Sequence, residues 1–287
     1  MNRLLRSLVN TTKTINGDIT FTLIEVGAAR YVKSKEPFYE LLDYFPSSEI
    51  IGFEVNPDTC DRMNKTARNG VKYYPHALGK TNGEKQFYVT NHPACSSLYK
   101  PNDALISLYN NMQLAQLKHQ TRIETITLDT FIDTYDVGTV DFIKIDIQGA
   151  ELDVFKGGKN ALKHVIKIVS EVEFVPHYEN QPLFGDVCAF LNKHDLMFNK
   201  FLELEGRSLK PMIIDNNINA PSQHLWSDAI FIHHVQKIPD LNDEKLLKLS
   251  FLSAVYNSPD LAFYCLSHFD QRNGTTFAQD WLTKLKS

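Results

Sequence analysis

The 287-residue sequence has no excess of basic charge: 30 Lys and Arg stand against 34 Asp and Glu, a net charge of −4 at pH 7 with histidine neutral. Binders of nucleic acid or of membrane surfaces carry a basic excess, so neither partner is expected. Cysteine is scarce, and Cys60, Cys95, Cys188 and Cys265 include no C-x-x-C pair, which excludes a disulfide scaffold and a structural zinc site. A reducing, cytoplasmic compartment fits this usage best. No apolar run approaches the roughly 18 residues of a membrane span. In the first ten residues, Arg6 and Asn10 interrupt the apolar stretch that a signal peptide would need. A G-x-G-x-x-G phosphate cradle is also missing. What remains, 43% hydrophobic and 22% charged residues with 12 Pro, is the composition of an ordinary folded protein.

Between residues 19 and 174, short apolar runs of strand length alternate with longer runs at helical spacing, the pattern of βαβ units and a mostly parallel sheet. Strands are expected at 19–26, 50–54, 71–78, 140–147 and 165–174, with helices at 37–45, 56–68 and 150–155. Residues 79–127 depart from this pattern, with a turn at 81–84, an antiparallel strand at 86–90, a polar stretch to 103, a helix over 104–116 and a strand at 123–128. They read as an insertion beside the crevice of the sheet. Helices at 129–135 and 183–194 and strands at 197–205 and 228–233 complete the α/β part. Beyond Pro239, Leu, Lys and Phe clusters predict helices at 242–254, 260–269 and 277–286. The expected organisation is an N-terminal extension (1–18), a main domain (19–236) and a helical appendage (237–287). The apolar positions of the appendage either pack on the core or form a homodimer surface.

Three groups of residues point to a site. Gly27 ends the first strand, where the absence of a side chain lets a ligand approach the backbone. Glu54 closes the second strand, where an acid hydrogen-bonds a ribose diol. With no glycine-rich pyrophosphate loop, a cofactor without phosphates is favoured over a dinucleotide. Within Asp141-Phe142-Ile143-Lys144-Ile145-Asp146, period-two alternation sets Lys144 and Asp146 on one face. Charges inside a central strand need either an ion pair or an active-site rim, and Asp146 lies at the strand end beside Gly27 and Glu54. No metal constellation stands out.

The succession VGAA (26–29), GFEVNPD (52–58), HALG (76–79), Ser96-Ser97-Leu98, ITLDTFID (126–133), DFIKIDIQGAELDVFKGG (141–158) and SEVEF (170–174) resembles the FkbM-type S-adenosylmethionine-dependent methyltransferases over about residues 20–234. That resemblance implies a class I methyltransferase sheet of about seven strands, mostly parallel with the last antiparallel. It further implies S-adenosylmethionine as cofactor. Glu25, Gly27 and Ala28 would line its methionine part, Glu54 would hold the ribose hydroxyls, Ala77 and Leu78 would border the adenine, and Ala29, Val55 and His76 would complete the cofactor's surroundings. Asp146 would sit near the sulfonium, with Lys144 beside it among the catalytic groups. His177 is the first choice of general base, because an unperturbed imidazole titrates near working pH. Ser96, Ser97 and Glu173 would face the acceptor. Two departures stand out: Ala29-Arg30-Tyr31 replaces the family's usual asparagine and second glycine, and Gln148 replaces its usual glutamate. The expected activity is O-methylation of a small-molecule or sugar hydroxyl. The alternatives are a nicotinamide-dependent oxidoreductase built on the same Gly27 and Glu54, and a non-catalytic binder that keeps the fold.

Overall fold

The computed structural model describes residues 2–17, 19–28, 36–219 and 222–286. Its strands are β1 (Thr22–Val26), β2 (Glu49–Phe53), β3 (Val71–Tyr74), β4 (Ala77–Leu78), β5 (Gly83–Thr90), β6 (Leu117–Ile126), β7 (Phe142–Ile145), β8 (Lys167–Glu173), β9 (Leu196–Glu205) and β10 (Trp226–His233). Its α-helices are α1 (Arg3–Thr11), α2 (Leu41–Tyr44), α3 (Pro57–Thr66), α4 (Asp103–Ile106), α5 (Leu128–Tyr135), α6 (Glu151–Gly157), α7 (Phe184–Asn192), α8 (Asp243–Val255), α9 (Pro259–Asn273) and α10 (Phe277–Lys286).

Seven strands form one sheet in the order β3-β2-β1-β7-β8-β10-β9. The pairings from β3 across to β8 are parallel, and β10 runs antiparallel between β8 and β9. Seven strands, mostly parallel with the last antiparallel, are the sheet that the resemblance implies. From β1 the chain turns one way to β2 and β3, and it later returns to the other side of β1 as β7. The ends of β1 and β7, Val26 and Ile145, therefore lie side by side at a topological switch point, where open α/β sheets bind ligands.

Period-two alternation divides the sheet between two cores. Leu23, Phe142, Val169 and Ile230 face a layer that includes α1, α8, α9 and α10, whereas Ile24, Ile143, Ile168 and Phe231 face α5, α6 and α7. The C-terminal helices share the first of these faces with α1 and with Phe38, Leu41 and Phe45. Phe251 packs on Phe45 at 4.9 Å between ring centroids, and Lys248 Nζ reaches both Asp141 oxygens at 3.0 Å. Residues 3–11, where the sequence showed no element, form α1. The Asn2 side chain caps it by accepting from the Leu5 amide, and its Leu5 and Leu8 enter the same core.

Two expectations change in and just before the inserted segment. The strand expected at 71–78 breaks at Pro75, which has no N–H to donate. Only residues 71–74 stay in the main sheet, and β4 instead pairs parallel with β6, which pairs antiparallel with β5 in a separate three-stranded arm. The helix expected at 104–116 reduces to α4 and a 3-10 turn at Gln113–Ala115. Asn111 adopts a left-handed φ of 57°, and the Asn110 amide donates to the carbonyls of Ser208 and Met212. Side chains of this kind compete with the helical ladder. Among the described residues no helix is long and apolar enough to cross a membrane. All four cysteines are free.

Candidate active site

Beyond the strand ends lies a cavity of about 700 Å³. Gly27 from the end of β1, Glu54 from the end of β2 and Asp146 from the end of β7 all line it. Gly27 has φ +83°, and a Cβ there would stand 2.0 Å from the Asp146 carbonyl oxygen. The closeness of these two strand ends therefore depends on glycine. Asp146 is anchored by its own amide, which donates to Val26 O at 3.0 Å. Glu54 is buried, with Oε1 accepting from the Asn56 amide at 2.7 Å as the chain turns into α3. Burial pushes its carboxyl up, against the lowering effect of that amide. A ligand offering two hydroxyl donors would favour the ionised form.

The other walls come from the adenine-side residues and the arm. Val55, His76, Ala77 and Leu78 line the cavity, and His76 Nε2 lies 2.7 Å from the Tyr135 hydroxyl. Phe87 and Val89 of β5 and Thr121 and Ile123 of β6 project from one face of the arm into the same space. Ser96 and Ser97 also line it. Ser97 Oγ donates to the Gln148 carbonyl at 2.7 Å and so ties the arm to the loop after β7.

That loop gathers three acids. Carboxylate oxygens of Asp146, Glu151 and Glu171 lie within 4.8 Å of one another. Gln148, at a left-handed φ of 60°, donates Nε2 to Asp146 Oδ1 at 2.9 Å and to Glu171 Oε2 at 2.6 Å. Its Oε1 accepts from the Tyr178 hydroxyl at 3.2 Å. Glu151 Oε1 accepts from the amides of Ile147 and Gly149. Burial raises its carboxyl to about 7, with the loop amides opposing and Asp146 adding to the rise. Burial and then the charges of Asp146 and Glu173 push Glu171 well above the usual range. Sequence reasoning missed Glu151 and Glu171 as partners of Asp146, although both stand in the quoted segments at 141–158 and 170–174.

Other expected residues lie elsewhere. Glu25 is buried in β1, where its Oε2 accepts from the Tyr39 hydroxyl at 2.6 Å. The Ala28 amide donates to Phe53 O at 3.0 Å, and neither Glu25 nor Ala28 lines the cavity. Ala29 falls outside the described residues, as do Arg30 and Tyr31. Lys144 forms a buried ion pair with Asp228, 2.7 Å from Nζ to Oδ1, so the ion pair rather than the site rim explains its charge. Burial alone would lower its ammonium, but Asp228 and Asp146 raise it overall. Glu173 is buried, its carboxyl raised by burial and by Glu151 and Asp146, and it too lies off the cavity wall. His177 is 6% exposed and packs edge-on against Trp226 at 5.8 Å. Burial lowers it to about 4, away from the range that suits a base, and it does not line the cavity.

The sequence profile of the methyltransferase FkbM domain matches residues 25–197, more than half of the chain and all three strand-end residues. The chain belongs to the FkbM methyltransferase family. Among curated proteins it is similar to the hexuronic acid methyltransferase AglP of Haloferax volcanii, 26% identical over 128 residues, which are 44% of this chain and 47% of that protein. It is also similar to the 2-O-methyltransferase NoeI of Sinorhizobium fredii, 25% identical over 157 residues, 53% of this chain and 65% of that protein. The chain thus spans between about half and two thirds of these relatives. Among solved structures, a precorrin-6y C5,15-methyltransferase from Geobacter metallireducens GS-15 aligns over 79% of this chain and 87% of that one, with 11% identity and a TM-score of 0.36. At that score the fold assignment rests on the strand order instead.

Proposed function

We propose that this FkbM-family chain transfers a methyl group from S-adenosylmethionine to a hydroxyl of a sugar or sugar-like small molecule. One observation carries the proposal: Gly27, Glu54 and Asp146, from three different strand ends, line a single cavity. Its volume of about 700 Å³ lies in the range of small-molecule sites. Its chemistry suits this donor. Glu54 offers a carboxylate to a ribose diol, Leu78 and His76 offer an apolar and aromatic wall to a flat base, and Asp146 offers negative charge to a sulfonium. When bound, the donor supplies an electrophilic methyl carbon. The chain's own tasks are to orient the donor, to hold the acceptor oxygen in line with that carbon and to take up the hydroxyl proton.

The choice of a sugar hydroxyl draws support from the activities named for the two curated relatives. It also draws on a second groove of about 490 Å³ that meets the cavity at Leu98. Lys80, Lys85, Gln86 and the Tyr99–Asp153 hydrogen bond of 3.1 Å line this groove, a polar surface suited to a polyhydroxylated acceptor. The test is incubation with methyl-labelled S-adenosylmethionine and a panel of glycosides, with and without a uronate group, followed by mass spectrometry. The expected product is a methyl ether on a sugar oxygen. Label appearing only on nitrogen or carbon acceptors, or on none, would contradict the proposal.

A further inference from the structure

We propose that Gln148 is a positioning residue for the methyl donor: its side-chain amide fixes the Asp146 carboxylate at the cavity wall, so that a negative charge already stands in place when the sulfonium arrives. The inference rests on the donor reading above and adds to it the group that holds Asp146 there.

Both polar atoms of the Gln148 side chain are committed to this arrangement. Nε2 donates to Asp146 Oδ1 at 2.9 Å and to Glu171 Oε2 at 2.6 Å, and Oε1 accepts from the Tyr178 hydroxyl at 3.2 Å. The reverse orientation would set the amide oxygen against two carboxylate oxygens, so the amide faces only one way. An ionised glutamate, the residue usual in the family, would likewise set acceptor against acceptor. The anchor is itself fixed. Gln148 sits at a left-handed φ of 60°, and its carbonyl accepts from Ser97 Oγ at 2.7 Å. Tyr178 is buried, and its hydroxyl also donates to Cys95 O at 2.7 Å. Gln148 is thereby held from β8, from the segment at 95–97 and from the chain beyond β8.

Asp146 needs such an anchor. Its amide donates to Val26 O at 3.0 Å, which fixes its backbone but leaves the side-chain torsions unset. One carboxylate oxygen from each of Asp146, Glu151 and Glu171 lies within 4.8 Å of the others, and like charges that close repel. The Gln148 amide bridges Asp146 and Glu171 and offsets that repulsion. Asp146 and Gln148 both line the cavity. A charge fixed before the ligand arrives needs no reorganisation on binding, and it distinguishes cationic S-adenosylmethionine from neutral S-adenosylhomocysteine. Without the amide, Asp146 can turn from its position and the distinction weakens.

The experiment is isothermal titration of the full chain, wild type and variants, with S-adenosylmethionine and separately with S-adenosylhomocysteine. Gln148→Met keeps the length of glutamine without its donors. Gln148→Asn keeps an amide and suits the left-handed backbone, on a side chain too short to bridge the two carboxylates. In both variants the affinity for S-adenosylmethionine should fall about tenfold while that for S-adenosylhomocysteine stays within about threefold. Adding Gln148→Met to Asp146→Asn should weaken S-adenosylmethionine no further than Asp146→Asn alone, because Gln148 acts through Asp146. Equal losses for the two ligands in both variants would mark Gln148 as merely structural and overturn the proposal. Unchanged S-adenosylmethionine affinity, or additive losses in the double variant, would overturn it too and leave the donor reading standing. Absence of binding of either ligand by the wild type would overturn the donor reading and this inference with it.

Discussion

Gly27→Ala should damage the fold and the site together, because one backbone contact serves both. The new Cβ would meet the Asp146 carbonyl oxygen at 2.0 Å, the Asp146 carbonyl carbon at 3.1 Å and Ile147 Cγ2 at 3.3 Å. Two of these are backbone atoms and cannot swing away like the tip of a side chain. At φ +83° an L-residue also bears left-handed strain of about 1–2 kcal/mol. Forcing the strand ends apart adds about 1–3 kcal/mol of overpacking. The total of about 2–5 kcal/mol is a large part of the roughly 5–15 kcal/mol that keeps a typical domain folded. Any surviving native state must displace Asp146 from Val26, and a shift of about 1 Å at a reacting site can cost on the order of 100-fold in rate. Urea denaturation followed by donor titration measures both effects. A variant with the wild-type midpoint and wild-type donor affinity would refute the close approach of β1 and β7 at Gly27.

Other predictions concern the buried charges and the C-terminal helices. Lys167 is fully buried, with Nζ donating to Leu252 O at 3.1 Å. Burial, aided by Lys200, lowers its ammonium to about 7 from an ordinary 10.5. A cation whose folded-state value is depressed contributes stability that is full above the unfolded value and is lost as pH falls toward the folded one. Wild-type stability should therefore rise between about pH 7 and pH 10.5, by on the order of 4–5 kcal/mol. Lys167→Met should flatten that rise and melt higher at pH 7 in thermal unfolding, and a pH-independent wild type would count against it. Removal of residues 240–287 should leave an aggregated or unfolded chain by light scattering and circular dichroism, because Leu246, Phe251 and Trp281 belong to the core that covers the sheet. A soluble, cooperatively melting remainder would make these helices dispensable. Glu151→Gln should stabilise the ligand-free protein more at pH 8 than at pH 5, because burial raises that carboxyl to about 7 and the protonated form is the one the fold prefers. Equal melting temperatures for variant and wild type at both values would contradict this.

The main strands and the strand-end residues were legible because they obey local rules. Apolar runs of strand length mark β1, β2, β7 and β8, and residues just past strand ends face the crevice whatever the details of packing. What was not legible depends on partners far along the chain. Lys144 finds Asp228 84 residues away, and Lys248 finds Asp141 107 residues away. Period-two reasoning could place Lys144 on a face but could not supply its counter-ion. His177 follows Pro176 and reads as a loop histidine, yet Trp226 from β10 closes over it and removes the solvent that a titrating base needs. The break at Pro75 was open to inspection, since proline has no N–H to give to a ladder. Convergence of Asp146, Glu151 and Glu171 also had a local half: Glu151 follows Asp146 by five residues across a Gln-Gly turn. The other half, Glu171, arrives only through the pairing of β7 with β8.

The cavity beyond β1, β2 and β7 is proposed to hold S-adenosylmethionine with Glu54 on its ribose. Titration of the wild type and of Glu54→Ala with S-adenosylmethionine tests it most directly. One site per wild-type chain is expected. Loss of one or two hydrogen bonds to a charged acceptor, each about 1.5–3 kcal/mol, should weaken the variant by at least about tenfold. Equal affinities for the two proteins, or no binding by the wild type, would contradict it.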